Sequence, residues 1–331
     1  MARIYLDNLG AEYRPVLEKG FDWLGLRSRL KPGIRVAIKP NLTFPSFRPG
    51  VMTNPGLLES LVSLLTDHGC SISIVESDSG GYNRFSMDDV FSATGIRTIA
   101  QRFNVRLVNL SAVEGRPIPV VKGRRQLVVP MPVPLLDSTD LMFTVPVPKI
   151  HMNTGVSISV KNQWGIIQDP AERLKLHPDF AEVIYAVNKN LPPIISIVDG
   201  KFGLTRSGPM EGDALELNWL MLSDDLFRAD FLCCQLMGID PMSISYLRTI
   251  FEREGITGMS DASLNRDPAP FTTGTPFFLK RKLTDYPGLW AFHSRPLAYL
   301  AYRSPLAGLL HRLLYLVRTP FYDYGKDRKE G

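Results

Sequence analysis

The chain predicts an α/β protein: a mostly parallel, doubly wound sheet with helices on both faces, followed by a C-terminal helical tail that is aromatic and basic. Three observations lead there. Short apolar, β-branched runs alternate with helical segments, Pro, Gly and Asn punctuate the joins, and 331 residues are enough for a large core. RVAIKPNL (residues 35–42) is the first clear strand, led in by Pro32-Gly33. NPGLLESLVSLLTDHG (54–69) reads as a helix, with Asn54 suited to the N-cap, Pro55 to the first turn and Gly69 to the stop. SISIVES (71–77) is the next strand, then a Gly-Gly turn and a helix across 87–103. RLVNLS (106–111) follows, and the proline-rich stretch 115–134 reads as a hairpin. LMFTVPVPK (141–149), PPIISIVDG (192–200) and LNWLMLSDD (217–225) are further buried strands, before helices near 226–237 and 241–254. The expected organisation is an α/β unit over 1–254, a loop-rich connector over 255–285 and an amphipathic segment over 286–331.

Hydrophobic residues at 44% and charged residues at 21% are those of an ordinary globular protein. The net charge of +5 and the pI near 9.0 favour anionic partners. The basic residues are scattered without a zinc-finger or RNA-binding signature, so nucleic acid is not expected. The three cysteines, Cys70, Cys233 and Cys234, show no CxxC spacing, which excludes an intrinsic four-cysteine iron–sulfur cluster. MARIYLDNLG has no apolar core of the signal-peptide kind, and no apolar run reaches the roughly 18 residues of a spanning helix. A cytoplasmic location is expected.

The residues most suggestive of chemistry are His151, Lys161 and His177. Only five histidines occur in the chain, and two of them bracket one lysine. Histidine titrates nearest to neutral pH, and a desolvated lysine can act as base or nucleophile. Further polar groups end the expected strands, where ligands of open α/β sheets bind. Lys39, Asn41, Thr53, Ser79, Gly80, Gly81 and Asn162 are candidates to hold an anionic substrate group, the glycines by letting backbone amides approach it. Of Asp199, Asp213, Asp224, Asp225 and Asp230, capping and solvation account for Asp224, Asp225 and Asp230. Asp199 is kept with His177 as a candidate metal ligand, on a loop expected to run glycine-rich from Gly200 to Gly212. No dinucleotide fingerprint, Walker loop or G-x-S-x-G elbow is present.

The segments IKPNL, TNP (53–55), ESDSGG, PKIHMNTGVSISVKNQWG, IVDG, GPMEGD (208–213) and SDDLFRADFLCCQLMGIDP together resemble domain-of-unknown-function family 362 over roughly residues 34–245. Some members of that family carry an appended iron–sulfur module, for which this chain lacks the cysteines. A fainter similarity is to the nickel-pincer lactate racemase family, whose spaced His, Gly, Ser, Lys and His fall here on His151, Gly155, Ser157, Lys161 and His177. That similarity implies a lysine tethering a metal-pincer nucleotide, a first histidine moving protons and a last histidine at the metal. The chain departs from the pattern in the loop 77–89, which lacks that family's further histidine, and in Ile158-Ser159-Val160, which replace a di-glycine.

These readings imply an enzyme moving a proton or hydride on a small carboxylate- or phosphate-bearing substrate, of the racemase, epimerase or isomerase kind. Lys161 is then base or cofactor attachment point, His151 its proton-transfer partner, and His177 a metal ligand or second acid/base. The cofactor is unknown, with a metal or a lysine-attached metal-pincer nucleotide as candidates. Two other classes stay open: an oxidoreductase or electron-transfer accessory working with an iron–sulfur partner, and a non-catalytic membrane-associated binding protein. The last rests on SPLAGLLHRLLYLVRTPFYDYG (304–325), where Leu306, Leu309, Leu310, Leu313, Leu314 and Val317 follow helical spacing among arginines and tyrosines. Residues 286–324 are thus expected to meet a membrane surface, peripherally at its inner face, or to pack on the domain itself or on a second copy of the chain, as stripes of this kind more often do.

Overall fold

The computed structural model describes residues 1–79 and 85–317. Its strands are, in chain order, β1 (Ala2–Asn8), β2 (Arg35–Pro40), β3 (Ser71–Glu76), β4 (Arg106–Asn109), β5 (Gly115–Lys122), β6 (Arg125–Pro132), β7 (Leu141–Val145), β8 (Lys149–His151), β9 (Gly155–Ser157), β10 (Ile194–Thr205), β11 (Asp213–Ser223) and β12 (Ala262–Leu264). The main sheet runs β12-β1-β11-β10-β7-β2-β3-β4, with β8 and β9 branching from β10, and β5-β6 forms a separate hairpin. From β10 to β4 every pairing along this path is parallel, while β11 is antiparallel to both its neighbours.

Alternation along the strands explains the layers. In β2, Val36 and Ile38 enter one core and Ala37 the other. The first core also takes the apolar faces of the helices Arg14–Trp23 and Pro55–Asp67. The opposite core takes those of Phe180–Asn190, Leu226–Leu236 and Ser245–Glu254. Helices therefore cover both faces, as a sheet buried on both sides requires. Asn54 caps its helix as expected, accepting the Gly56 N–H at 2.9 Å.

Four elements differ from expectation, each for a local or tertiary reason. The helix expected across 87–103 is two, Met87–Ala93 and Ile96–Arg102, broken at Gly95 with φ of +78°. The N-terminal residues supply β1, whose Tyr5 and Leu6 are buried although its polar and apolar residues are too mixed to announce a strand. The glycine-rich stretch expected as a loop after Asp199 continues β10 to Thr205, because Phe202–Thr205 pair with Asp213–Glu216. Finally, β12 lies within 255–285 and pairs with β1, so the expected connector adds an edge strand to the sheet.

Gly200 sits opposite Trp219 in the β10–β11 ladder, and a Cβ there would fall 2.2 Å from the indole ring. Trp219 is fully buried and has nowhere to move. Gly200→Ala is therefore expected to cost roughly 1–3 kcal/mol by overpacking. The measurement is urea unfolding, where the midpoint should fall at unchanged slope.

Candidate active site

Strands β3 and β4 lie on one side of β2, and β7 and β10 on the other, so the winding reverses between β2 and β7. Ligand crevices of open α/β sheets form beyond the strand ends at such a point. Lys39, near the end of β2, is 1% exposed, and its Nζ lies 2.8 Å from Glu76 Oε2 at the end of β3. Glu76 also accepts the N–H groups of Ser77 (3.1 Å) and Leu42 (3.4 Å). Burial pushes the Lys39 ammonium down and the Glu76 carboxyl up, and their attraction opposes both shifts. Gly165 closes over the pair, since a Cβ there would come within 2.7 Å of Glu76 Oε1.

A polar layer continues from this pair. Lys149 Nζ donates to Asn41 Oδ1 (2.7 Å) and to the Val51 carbonyl (2.6 Å). Asn41 Nδ2 donates to Asn162 Oδ1 (3.0 Å), and Asn162 Nδ2 donates to Thr144 Oγ1 (2.8 Å). Thr53 Oγ1 donates to the Val145 carbonyl (2.6 Å) and accepts the Asn41 N–H (2.7 Å). Lys39, Asn41, Thr53 and Asn162, expected to hold substrate, thus bond to this layer, and none of them lines the cavity. The physical reason is that buried polar groups cost free energy unless paired, and strand-end side chains here find partners on neighbouring strands. Among the described residues Lys149 has no carboxylate partner, and burial with Lys39 nearby pushes its pKa down to about 7.

Beside this layer lies a cavity of about 500 Å³, lined by His151, Lys161 and His177 together with Ser79, Arg173 and Lys282. One local unit positions the first two. The β8–β9 hairpin turns through Met152–Thr154 and returns at Gly155, whose φ is +82°. The short helix Ser159–Asn162 follows, its N-terminus held by the fully buried Asp230, which accepts the Ser159 (2.7 Å) and Val160 (3.0 Å) N–H groups. Asp230 therefore does cap, but it caps the segment that presents Lys161. Burial pushes its carboxyl up to about 7.

Lys161 Nζ donates to Thr154 Oγ1 at 2.8 Å and stands 5.3 Å from the Phe180 ring centroid. The Thr154 hydroxyl in turn donates to the Val156 carbonyl (3.0 Å). Burial, then Lys149, holds the Lys161 pKa well below that of an ordinary lysine. The Asn153 N–H donates to His151 Nδ1 (3.1 Å), which leaves the proton of the neutral ring on Nε2. Burial and Lys161 push His151 well below its usual range. His177 stacks on Trp164 at 5.5 Å and meets Phe292 at 4.7 Å, and burial with Lys161 nearby lowers it to about 3.

The remaining candidates fall elsewhere. Ser79 lines the cavity and donates to the Thr43 carbonyl (3.1 Å), while Gly80 and Gly81 lie outside the described residues. Asp199 accepts the Asn54 N–H (2.8 Å) and the Tyr13 hydroxyl (3.3 Å) and does not line the cavity with His177. The proposed His177–Asp199 metal pair is thus not brought together, and no group of three or more His, Cys, Asp or Glu among the described residues is arranged for a metal ion. Asp225 caps its own helix, Asp224 accepts the Arg3 N–H (2.7 Å), and Asp213 pairs with Arg206 (2.8 Å).

Arg173, Lys149 and Thr154 were not among the residues singled out from the sequence. Arg173 sits in PAERLK, which reads as a surface helix, yet its guanidinium donates to the Asp78 carbonyl. Lys149 carried a usable signal: like Lys39 it adjoins a proline at the end of an apolar strand.

Residues 36–235 match the model of the family described as "Domain of unknown function (DUF362)". Over 228 residues the chain is 26% identical to a thylakoid-associated protein of Synechocystis sp., covering 66% of this chain and 68% of that protein. Among solved structures it is similar to the lactate racemase apoprotein from Thermoanaerobacterium thermosaccharolyticum, with a TM-score of 0.43 at 13% identity over 72% of this chain and 57% of that one. It is also similar to a structural-genomics protein from Thermotoga maritima, with a TM-score of 0.41 at 14% identity over 69% and 60% of the two chains. The chain thus spans less than two thirds of the length of either solved structure.

Two measurements probe the polar layer. Glu76→Ala leaves Lys39 a buried, unpaired cation and is expected to destabilise by about 3–5 kcal/mol, with Lys39→Met/Glu76→Leu recovering most of it. An unaltered unfolding midpoint for Glu76→Ala would mean the pair is not closed in solution. Lys149 holds its proton only to about pH 7 when folded, against 10.5 when unfolded. Between these values the unfolded chain binds more protons, so stability rises with pH. Lys149→Met should make that rise shallower in urea unfolding repeated across the window, and an unchanged slope would count against a proton-poor Lys149.

Proposed function

The chain belongs to the DUF362 family, and on that premise we propose that its cavity is the active site of an enzyme moving a proton at a carbon next to a carbonyl or hydroxyl of a small carboxylate- or phosphate-bearing substrate. One observation carries the reading: Lys161, buried and held well below the ordinary lysine range, stands in the same cavity wall as His151 and His177. A neutral amine at ordinary pH is a competent general base, which a solvated ammonium is not.

In this mechanism Lys161 Nζ, oriented by its hydrogen bond to Thr154, takes the proton from the substrate carbon. Negative charge then develops on the adjoining oxygen. His151, with its proton on Nε2, donates a hydrogen bond to that oxygen without itself carrying charge. Arg173 attracts the substrate's anionic group, while burial and then Lys149 oppose protonation of Lys161, and burial, Lys161 and Arg173 that of His177. His177, lowered to about 3, stays uncharged at neutral pH and does not act as a proton-donating acid. Return of the proton to the same carbon or its neighbour gives a racemase, epimerase or isomerase. Each positioned acid or base contributes about 10²–10⁴-fold.

A metal-bearing group attached through a lysine fits this wall in one respect, since Lys161 and His177 line the same cavity. Lys161 would hold it, with His177 beside its metal, and the group would supply a hydride acceptor. Lys161 would then serve as attachment point and His151 as the proton-transfer residue.

Reductive methylation at neutral pH tests the lysine directly, because only the unprotonated amine reacts. Lys161 is expected to be modified ahead of the surface lysines in peptide mass maps, and modification of the surface lysines first would sink the assignment. Intact-mass and elemental analysis of freshly purified protein separate the two roles of Lys161. An adduct mapping to it selects attachment, and an unmodified residue selects the base. With a panel of 2-hydroxy acids and sugar phosphates in D₂O, hydrogen–deuterium exchange should be lost by at least about 10²-fold in Lys161→Ala.

A further inference from the structure

Helical spacing of leucines ordinarily turns an apolar stripe toward a core. In the C-terminal segment it does the opposite. The helices Tyr286–His293, Arg295–Tyr302 and Ala307–Val317 are anchored by other contacts. Phe292 packs on His177, Ala298 and Ala307 are buried, and Arg295 and Arg303 pair with Asp179 and with Asp169 and Glu172. These contacts set the orientation of the helices and leave the stripe facing out. Trp290, Leu297, Leu300, Leu306, Leu309, Leu310 and Leu313 are each between 39% and 60% exposed. Such an apolar face marks a surface that binds something.

Charge indicates the occupant. Although basic residues are scattered along the chain, the net charge is not. Residues 1–279 carry 28 lysines and arginines against 29 carboxylates, whereas residues 280–331 carry ten against four. No Asp or Glu occurs between residues 286 and 317, and Lys280, Arg281 and Arg312 are exposed. An outward leucine stripe with an interfacial tryptophan, flanked by cations and free of acids, is the pattern of a helix lying in the plane of an anionic bilayer. Among the described residues no helix is long and apolar enough to cross a membrane.

We propose that the face formed by Trp290, Leu297, Leu300, Leu306, Leu309 and Leu313 docks the protein peripherally on an anionic lipid bilayer. This surface stands independently of the chemistry assigned to the cavity, although Gly288 and Tyr302 of the same helices line that cavity. The test uses the full chain with sedimenting vesicles. Binding is expected to phosphatidylcholine–phosphatidylglycerol vesicles, weaker to phosphatidylcholine alone, and reduced by salt. The variant Trp290→Ser/Leu309→Ser/Leu313→Ser should lose about tenfold or more in partitioning with an unchanged thermal midpoint, because the three side chains are exposed. Brominated lipid should quench tryptophan fluorescence in the parent protein and not in Trp290→Phe. Absence of binding by the parent chain, or equal binding by the triple variant, overturns the proposal. So does a parent dimer that ignores vesicles and is split by the triple variant, which would make the occupant a second copy.

Discussion

The buried Lys39–Glu76 pair is the constraint around which the centre of this protein is arranged. It joins the ends of two adjacent parallel strands at the place where the sheet reverses its winding, in an interior that tolerates charge only when it is paired. Removing either member would strand the other. The pair is closed above by a glycine that no other residue could replace without contact, and it continues sideways into the amides of Asn41 and Asn162. Lys149 enters the same layer from the next segment of chain. Its proximity to Lys39 then lowers its proton affinity, and Lys149 does the same to Lys161. A structural ion pair thus lies at one end of a series of neighbouring lysines, Lys39, Lys149 and Lys161, the last of which lines the cavity.

That arrangement separates support from contact. The polar residues at the strand ends hold the strands in register, while the cavity groups come from the hairpin and short helix beyond them. Asp230 shows how closely the two are tied. A carboxylate on the helix Leu226–Leu236, which packs in the same core as Ile158 and Val160, takes the first N–H groups of the Lys161 segment, so the position of the amine depends on packing between two stretches of chain distant in sequence.

The C-terminal helices extend this logic outward. Their inner side completes the aromatic surround of His177, and their outer side presents leucines to the surroundings. Helical periodicity alone identified the stripe. It could not say which way the stripe faced, because that was settled by two arginines reaching acidic partners more than a hundred residues earlier in the chain.

Local signals were sufficient for the alternating elements. Apolar runs such as SISIVE, the Asn54 cap and the hairpin over 115–134 are properties of a few neighbouring residues, and the trio His151, Lys161 and His177 stood out because histidine is rare here. The order and direction of the strands were not legible, since β1 is a mixed run and β12 only three residues long, and both acquire their form from partners far along the chain. Nor could spacing tell a ligand-facing polar residue from a buried one. Lys39, Asn41, Thr53 and Asn162 have the chemistry of an anion site, but the fold supplies each with an internal partner, whereas Lys161 donates to Thr154 and lines an open cavity. Residue type and pattern follow from the chain's local chemistry. Which polar groups are left to do work depends on pairings across the whole molecule, and only the tertiary structure makes those.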